Sequence, residues 1–576
     1  MKNSEIAAAF DELANLYELD GAVVYRVQAY RNAAKAIRDA GASVAELAGQ
    51  GRAAELPGVG KTIAEKIDAL IGQGDIPSAV KLRARIPSGL VQVTRIPGLG
   101  PKRARLLHQE LGVETLEDLR RAAEEERLRT VAGFGPKAEQ NVLAELAKGA
   151  DGEARPRTLL SKALEIGEEL VEGLREHHGA IRVELAGSAR RWAETCKDLD
   201  IVACAHDAGD LIEAFAELPA IDEVSRSGTA GAKAVTHQGI PVDLRVVPEE
   251  SFGNLLQHFT GSGRHNEALR TAAVKRGIHV SEYGVAVDET EATHACATEE
   301  EVYALLDMAY VPPELREDRG ELTAARDHEL PDLIELGDIR GDLHSHTVAS
   351  DGRATITEMA EAARERGYEY LAITDHSATH GFGNHVTPAE LERQIDRVAR
   401  VNEQLEGITV LAGTETNVLP DGSVDYEDEL LERLDWVVAS VHTSFRLSEA
   451  EMTERIVAAL EHPLVDVLGH PTGRLIGRRE GYAVDVGAVI AAAARTGTFL
   501  EINANPNRRD LDDVYAREAA RAGVTLTIDS DAHGPDTLAN MRYGVATARR
   551  AWLRAEDVAN TRGWDELLTL RGRAAG

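Results

Sequence analysis

Cysteine is scarce in this chain: three in 576 residues, Cys196, Cys204 and Cys296. They are too few and too scattered for a disulfide framework or a CxxC zinc module. No apolar run approaches the roughly 20 residues a membrane span needs. The opening Met1–Glu5 leads into an acidic amphipathic helix and is no secretion signal. Together these absences predict a reduced, soluble, cytoplasmic protein. Positive charge is also short, with 64 Lys+Arg against 97 Asp+Glu and a net charge of −33. Taken whole, that argues against a nucleic-acid binder, whose footprint is basic. Divided by region it does not: residues 1–150 sum to +1, and residues 151–330 and 331–576 to −17 each. At roughly 150 residues per domain the length predicts three or four domains.

What the chain does have begins with a threefold repeat. Leu56-Pro57-Gly58-Val59-Gly60-Lys61, Ile96-Pro97-Gly98-Leu99-Gly100-Pro101-Lys102 and Val131-Ala132-Gly133-Phe134-Gly135-Pro136-Lys137 each precede a helical stretch in a region that reads as short helices. Glycine lets the backbone approach a phosphate, the amides opening the next helix face it, and Lys adds a charge without base specificity. Three copies match the helix-hairpin-helix motif, which grips DNA backbone. The candidate DNA contacts are Gly58, Gly60, Lys61, Gly98, Gly100, Lys102, Gly133, Gly135 and Lys137. Residues 151–156 read as a linker.

Mixed α/β patterning follows, with strands expected near Ile181–Leu185, Leu199–Ala203 and Ile240–Val247. Asp198 and Asp200 lie at i and i+2 and so share one strand face. Asp243 sits on what reads as a neighbouring strand. Three carboxylates without imidazole suit Mg²⁺ or Mn²⁺ in a two-metal nucleotidyl transfer. Gly187-Ser188 with Arg191 offers amides, a hydroxyl and a guanidinium to a triphosphate. Phe259-Thr260-Gly261-Ser262, Asn266, Arg270 and Pro312–Glu317 follow.

This constellation resembles the family X DNA polymerases. The resemblance implies that Asp198, Asp200 and Asp243 are catalytic and hold the metals. It also implies nucleotide contacts from Gly187, Ser188, Arg191, His258, Phe259, Gly261, Asn266 and Arg270. His258 stands where the family has Tyr, and Pro241 where eukaryotic members carry a basic residue. Tyr25–Arg31 resembles the family's end-binding domain. There Lys66 matches a lyase lysine, and Asn32 replaces a phosphate-binding Lys.

From Gly341 onward apolar strands alternate with helices, at Tyr370–Thr374, Thr409–Gly413, Trp436–Val441, Val465–Gly469, Thr498–Ile502 and Thr525–Ile528. That pattern predicts a βα barrel with its site at the C-terminal strand ends. His344, His346, Asp351, His376, Glu415, His442, His470, Asp531 and His533 cluster at those ends. The mixed N/O set suits two or three Mn²⁺, Zn²⁺ or Fe ions bridged by Glu415. Order and spacing resemble the PHP (polymerase and histidinol phosphatase) domain with all nine positions filled. Arg474 and the run Asn503–Arg508 read equally as phosphate contacts or as a solvated loop.

The expected fold is multidomain. Residues 1–85 form a helical end-binding domain, 86–150 a second hairpin region and 151–320 an α/β nucleotidyltransferase. Residues 321–337 are a linker, and 338–576 a distorted (β/α) PHP barrel. The combination resembles the bacterial and archaeal family X polymerases. It implies a monomeric, nucleoid-associated repair enzyme that takes gapped DNA and deoxynucleoside triphosphates, fills gaps and trims 3′ ends. Two alternatives are a metabolite phosphoesterase on a spent polymerase scaffold and a non-catalytic DNA end-binding platform.

Overall fold

The computed structural model describes all residues except 95, 97, 148–156, 290, 291, 382 and 572–576. Pro97 of the second hairpin and the expected linker 151–156 therefore lie outside the described residues. Among those described, no helix is long and apolar enough to cross a membrane. The chain folds as two compact units. One comprises Met1–Thr158, Glu165–Leu185 and Lys197–Glu249; the other comprises Leu159–Leu164, Ala186–Cys196 and Glu250–Gly576.

The first unit opens all-helical. Ile6, Phe10 and Leu13 fall on one face of helix Asn3–Leu19, and Tyr30, Ala34 and Ile37 on one face of Val24–Asp39. Spacing of three and four places these residues in a single apolar core. A second core gathers Leu90, Leu99, Leu107, Leu119 and Phe134.

The three glycine hairpins share one geometry. The N–H of Val59, Leu99 and Phe134 donates to the carbonyl of Leu56, Ile96 and Val131, at 3.0, 2.9 and 3.0 Å. The first glycine of each is left-handed: Gly58 at φ +74°, Gly98 at +83° and Gly133 at +85°. The apolar residue between the glycines is buried as the anchor, while Lys61, Lys102 and Lys137 are exposed.

A five-stranded sheet completes this unit: β1 (Ala180–Leu185), β2 (Leu199–Ala205), β3 (Ile221–Gly228), β4 (Gly231–Thr236) and β5 (Pro241–Val246), in the order β1-β2-β5-β4-β3. Only β2 and β5 pair in parallel. Three of these strands match the expected ones. β3 is mostly polar, with Asp222, Glu223 and Arg226, and β4 is rich in Gly and Ala, so neither gives a clear hydrophobic signal.

The second unit holds a small antiparallel sheet, β6 (Ile278–Ser281), β7 (Gly284–Val287) and β8 (Ala292–His294), beside helices. The expected linker 321–337 is not an extended connector. It begins as helix Glu321–Asp327, with Glu321 and Ala325 buried, because Glu321 accepts from the N–H of Asp318 and Arg319 at 2.9 and 2.7 Å.

The remainder is a seven-stranded, wholly parallel sheet: β9 (Gly341–Asp342), β10 (Tyr370–Ile373), β11 (Thr409–Asn417), β12 (Trp436–Ser440), β13 (Val467–Leu468), β14 (Phe499–Asn503) and β15 (Leu526–Asp529). A bridge between Ser345 and Ala532 joins the extensions of the two edge strands and nearly closes the barrel. Tyr370, Leu411, Trp436, Val438 and Phe499 pack together in one core cluster. Because successive side chains alternate faces, Leu411, Gly413 and Glu415 share a face, as do Phe499, Glu501 and Asn503. Each row begins apolar and ends polar at the C-terminal strand ends.

The hairpin geometry gives a direct test. A Cβ at Gly58 or at Gly60 would meet nothing within 4 Å, but only Gly58 is left-handed. Gly58→Ala should cost about 1–2 kcal/mol and lower the first thermal transition by circular dichroism. Gly60→Ala should stay within about 0.5 kcal/mol. Equal depression by both would contradict this.

Candidate active sites

In the first unit the sheet register sets Asp200 opposite Asp243 across β2 and β5, and Lys233 opposite Asp243 across β4 and β5. Asp198 precedes β2 on the approach to the same face. All three carboxylates line one cavity of about 560 Å³ with Lys197 and Lys233. Asp243 is clasped by two cations, Lys233 Nζ at 2.8 Å and Arg245 Nε at 3.1 Å. Lys233 lies on a strand whose small residues hid it from the sequence reading. In the helical part, half-buried Lys66 directs Nζ to Ser78 Oγ at 3.4 Å.

The expected nucleotide contacts belong to the second unit. Gly187 (φ +63°) and Ser188 open the four-residue helix Gly187–Arg190. Arg191 is occupied: its Nε meets Glu317 at 3.0 Å and its Nη1 donates to the Thr260 carbonyl at 2.8 Å. Arg190 binds Thr260 Oγ1 and buried Glu299, and Arg316 reaches the same carboxylate at 2.5 Å. Burial raises the Glu299 pKa, but the two guanidiniums outweigh it and pull it down to about 2. The Pro312–Glu317 motif thus acts as a clamp.

Asn266 is spent on its own turn, donating to the carbonyls of His258 at 2.7 Å and Gly261 at 3.2 Å. Half-buried His258 sits beside Phe259, with ring centroids 5.7 Å apart, and burial lowers its pKa. Arg270 is exposed.

At the barrel mouth every strand delivers at least one polar side chain. Glu415 is the hub. Its carboxylate lies 2.7 Å from His376 Nδ1, 3.0 Å from His470 Nε2, 3.2 Å from His442 Nε2, 3.4 Å from His344 Nε2 and 3.6 Å from His346 Nε2. Asp531 stands 3.2 Å from His346, and Asp351 3.2 Å from His533 and 3.6 Å from His376. All nine predicted positions meet in this ring. His470 and Asp531 hold left-handed backbones, at φ +29° and +51°, a strain that clusters at functional sites.

Several ring atoms are buried close to one another yet make no well-aligned hydrogen bond: His344 Nε2, both nitrogens of His346, and Glu415 Oε2. Buried polar atoms left so are costly unless a cation takes them. Three subsets have ligand atoms within 4.8 Å of one another: His346, Asp351, His376 and His533; His344, His346 and Asp531; His376, Glu415 and His442. The donor set therefore fits a cluster of divalent ions with shared ligands.

Around the ring stand further polar residues, of which Glu501 and His380 were not singled out in the sequence and Asn503 only as part of the run Asn503–Arg508. Glu501 Oε1 holds His344 Nδ1 at 2.6 Å, and Asn503 Nδ2 donates to both Glu501 and Asp531 at 3.1 Å. Asp375 accepts the N–H and the hydroxyl of Thr347, both at 2.7 Å. Buried His380 stacks on His376 at 4.6 Å. A charged residue inside the apolar strand Phe499-Leu500-Glu501-Ile502 was the available signal for Glu501. Arg474 is taken up by carboxylates: it pairs with Glu194 and Asp512.

Burial opposes charge on His376 and His533, yet Glu415 and Asp351 hold His376 up to about 10, and Asp351 and Asp531 hold His533 up to about 9.

Comparison with known proteins bears on both sites. A helix-hairpin-helix domain model matches residues 1–76 and a SAM-like helix-hairpin-helix tandem matches residues 91–148. DNA polymerase beta thumb matches residues 255–317 and the PHP domain residues 342–505. The "DNA polymerase/3'-5' exonuclease PolX" of Bacillus subtilis (strain 168) is 39% identical over 564 residues, 98% of each chain. A "probable phosphatase" of Caldanaerobacter subterraneus subsp. tengcongensis is 33% identical over 204 residues, 33% of this chain and 75% of that one. Another, from Thermoanaerobacter sp. (strain X514), is 29% identical over 231 residues, 38% of this chain and 89% of that one. Fold and likeness together define a polymerase joined to a metal-dependent phosphoesterase barrel. The chain belongs to the family X DNA polymerases that carry a PHP domain.

A cation must displace the protons on His376 and His533, so metal affinity should rise with pH across neutrality. Glu501→Gln should weaken Mn²⁺ binding about 10–100-fold. Equilibrium dialysis at two pH values measures both. Unchanged affinity in the variant would show that Glu501 does not orient His344.

Proposed function

We propose that this enzyme fills short gaps in damaged DNA and cleans 3′ ends with a second, separate site. The observation that carries the proposal is the pairing of two convergent acid sites in one chain, the Asp200–Asp243 register and the ring around Glu415. Asp198, Asp200 and Asp243 would hold Mg²⁺ or Mn²⁺ at the polymerase site. The nine barrel residues, His344, His346, Asp351, His376, Glu415, His442, His470, Asp531 and His533, would hold two or three Mn²⁺, Zn²⁺ or Fe ions. Bound there, such cations activate a 3′-hydroxyl or a water and stabilise charge on the leaving oxygen.

The chain's own residues do the rest. Lys233 and Arg245 fix the carboxylate of Asp243. Ser188, Arg191, Phe259 and Arg270 face the incoming nucleotide from a turn that Asn266 and Thr260 brace. In this reading His258 takes the sugar-facing place. The exposed lysines of the three hairpins hold the DNA backbone, and Lys66 is the amine available to an abasic sugar. The enzyme works as a monomer on cytoplasmic, nucleoid-associated DNA. Likeness over nearly the whole chain to a named polymerase and exonuclease disfavours a spent scaffold, as it does a non-catalytic platform.

Two substitutions separate the activities on a gapped duplex. Asp200→Ala should cut primer extension by about 10³-fold or more and leave Mn²⁺-dependent 3′ digestion. His344→Ala should do the reverse. Extension that survives Asp200→Ala would refute the triad, and loss of both activities in either variant would refute their separation.

A further inference from the structure

Beside the barrel mouth runs a groove of about 750 Å³ that neither site uses. Val348, Ile356 and Val386 give it an apolar lining, and Arg393, Arg397 and Arg400 line it from helix Pro388–Gln404. The groove is tied to the ring through the backbone. Thr347, one of its lining residues, follows His346 and is bonded to Asp375, and the Val386 N–H donates to the carbonyl of His376 at 2.9 Å.

The three arginines fall at i, i+4 and i+7, one face of the helix. Over seven residues that row spans about 10 Å, long enough to meet successive phosphates of one strand. Only Arg393 has an acidic neighbour, Glu390, at 4.0 Å. Among the described residues half-buried Arg397 and exposed Arg400 have no ion-pair partner. These three guanidiniums line one groove whose lining holds a single carboxylate, Glu390, in a region, residues 331–576, that carries −17. An acid-rich surface that leaves two guanidiniums unpaired along one groove is complementary to a polyanion. The apolar lining selects among polyanions. A duplex presents phosphates outward and gains nothing from Val348 and Ile356, whereas a single strand can lay its unpaired bases there.

We infer that this groove is the track for the single strand whose 3′ end enters the PHP ring, with Arg397 and Arg400 holding its phosphates. The inference rests on the reading that the ring digests 3′ termini.

The three native cysteines are buried, so Val348→Cys in the full-length protein, carrying a thiol-reactive fluorophore, reports occupancy of the groove without catalysis. A short oligothymidylate with phosphorothioate 3′ linkages should change its emission saturably. Adding Arg397→Ala and Arg400→Ala should weaken that binding at least about tenfold. It should also flatten the slope of log affinity against log salt by about 1.4, ~0.7 for each single-strand phosphate that is no longer neutralised. Arg397→Lys with Arg400→Lys should restore the slope. An unresponsive label, or equal affinity and slope in the alanine variant, overturns the track. In parallel, Mn²⁺-dependent hydrolysis of the same sequence with ordinary linkages is compared with that of the p-nitrophenyl ester of thymidine monophosphate. The oligonucleotide-to-ester ratio should fall about tenfold in the alanine variant, and an unchanged ratio counts against the track. A wild type that hydrolyses neither substrate overturns the 3′-digestion reading instead, while the label still judges the groove.

Discussion

The barrel is organised around one buried carboxylate. Glu415 is 1% exposed and faces five imidazoles. A parallel sheet of seven strands forces this situation. Inward positions alternate with outward ones, and the inward positions at the C-terminal ends of all seven strands must share one small volume. Below them Trp436, Tyr370 and Phe499 fill the interior. Above them the chain places His, Asp and Glu, which cannot be buried together without charge compensation. The imidazoles supply part of it, and the orphaned ring atoms mark where cations supply the rest. Strained backbone at His470 and Asp531 is tolerated because the closed sheet on either side over-determines it.

The same need for compensation runs through the rest of the chain. Asp243 is held by Lys233 and Arg245, and Glu299 by Arg190 and Arg316. Glu317 takes Arg191 and Arg550. The acid excess is therefore ordered, with each of these carboxylates given a guanidinium, an ammonium or an imidazole partner. On helix Pro388–Gln404, by contrast, three arginines line one groove with Glu390 as its single carboxylate.

Much of this was legible in the sequence because the signals are local. Most of the barrel residues, His376, His442 and His470 among them, follow an apolar run that reads as a strand, and the DxD alternation of Asp198 and Asp200 forces a common face. The hairpin glycines repeat three times with the same spacing. What was not legible depends on distance along the chain or on short, weak elements. β9 is the two residues Gly341–Asp342 and carries no hydrophobic run. β4 is built mostly of small residues, so Lys233 went unseen beside Asp243. The partners Arg190 and Glu299 are 109 residues apart, and Arg474 and Glu194 are 280 apart. No periodicity predicts that Arg474 is tied to a carboxylate, or that Asn266 braces its own turn.

The central claim is that the ring around Glu415 is a built cation cluster and not a network of buried ion pairs. Anomalous diffraction from crystals of the full-length protein soaked in Mn²⁺ tests it most directly. The account predicts two or three anomalous peaks enclosed by the nine barrel side chains, with at least one bridged by Glu415. Diffraction that showed those imidazoles and carboxylates bonded to one another, with no peak among them, would contradict it.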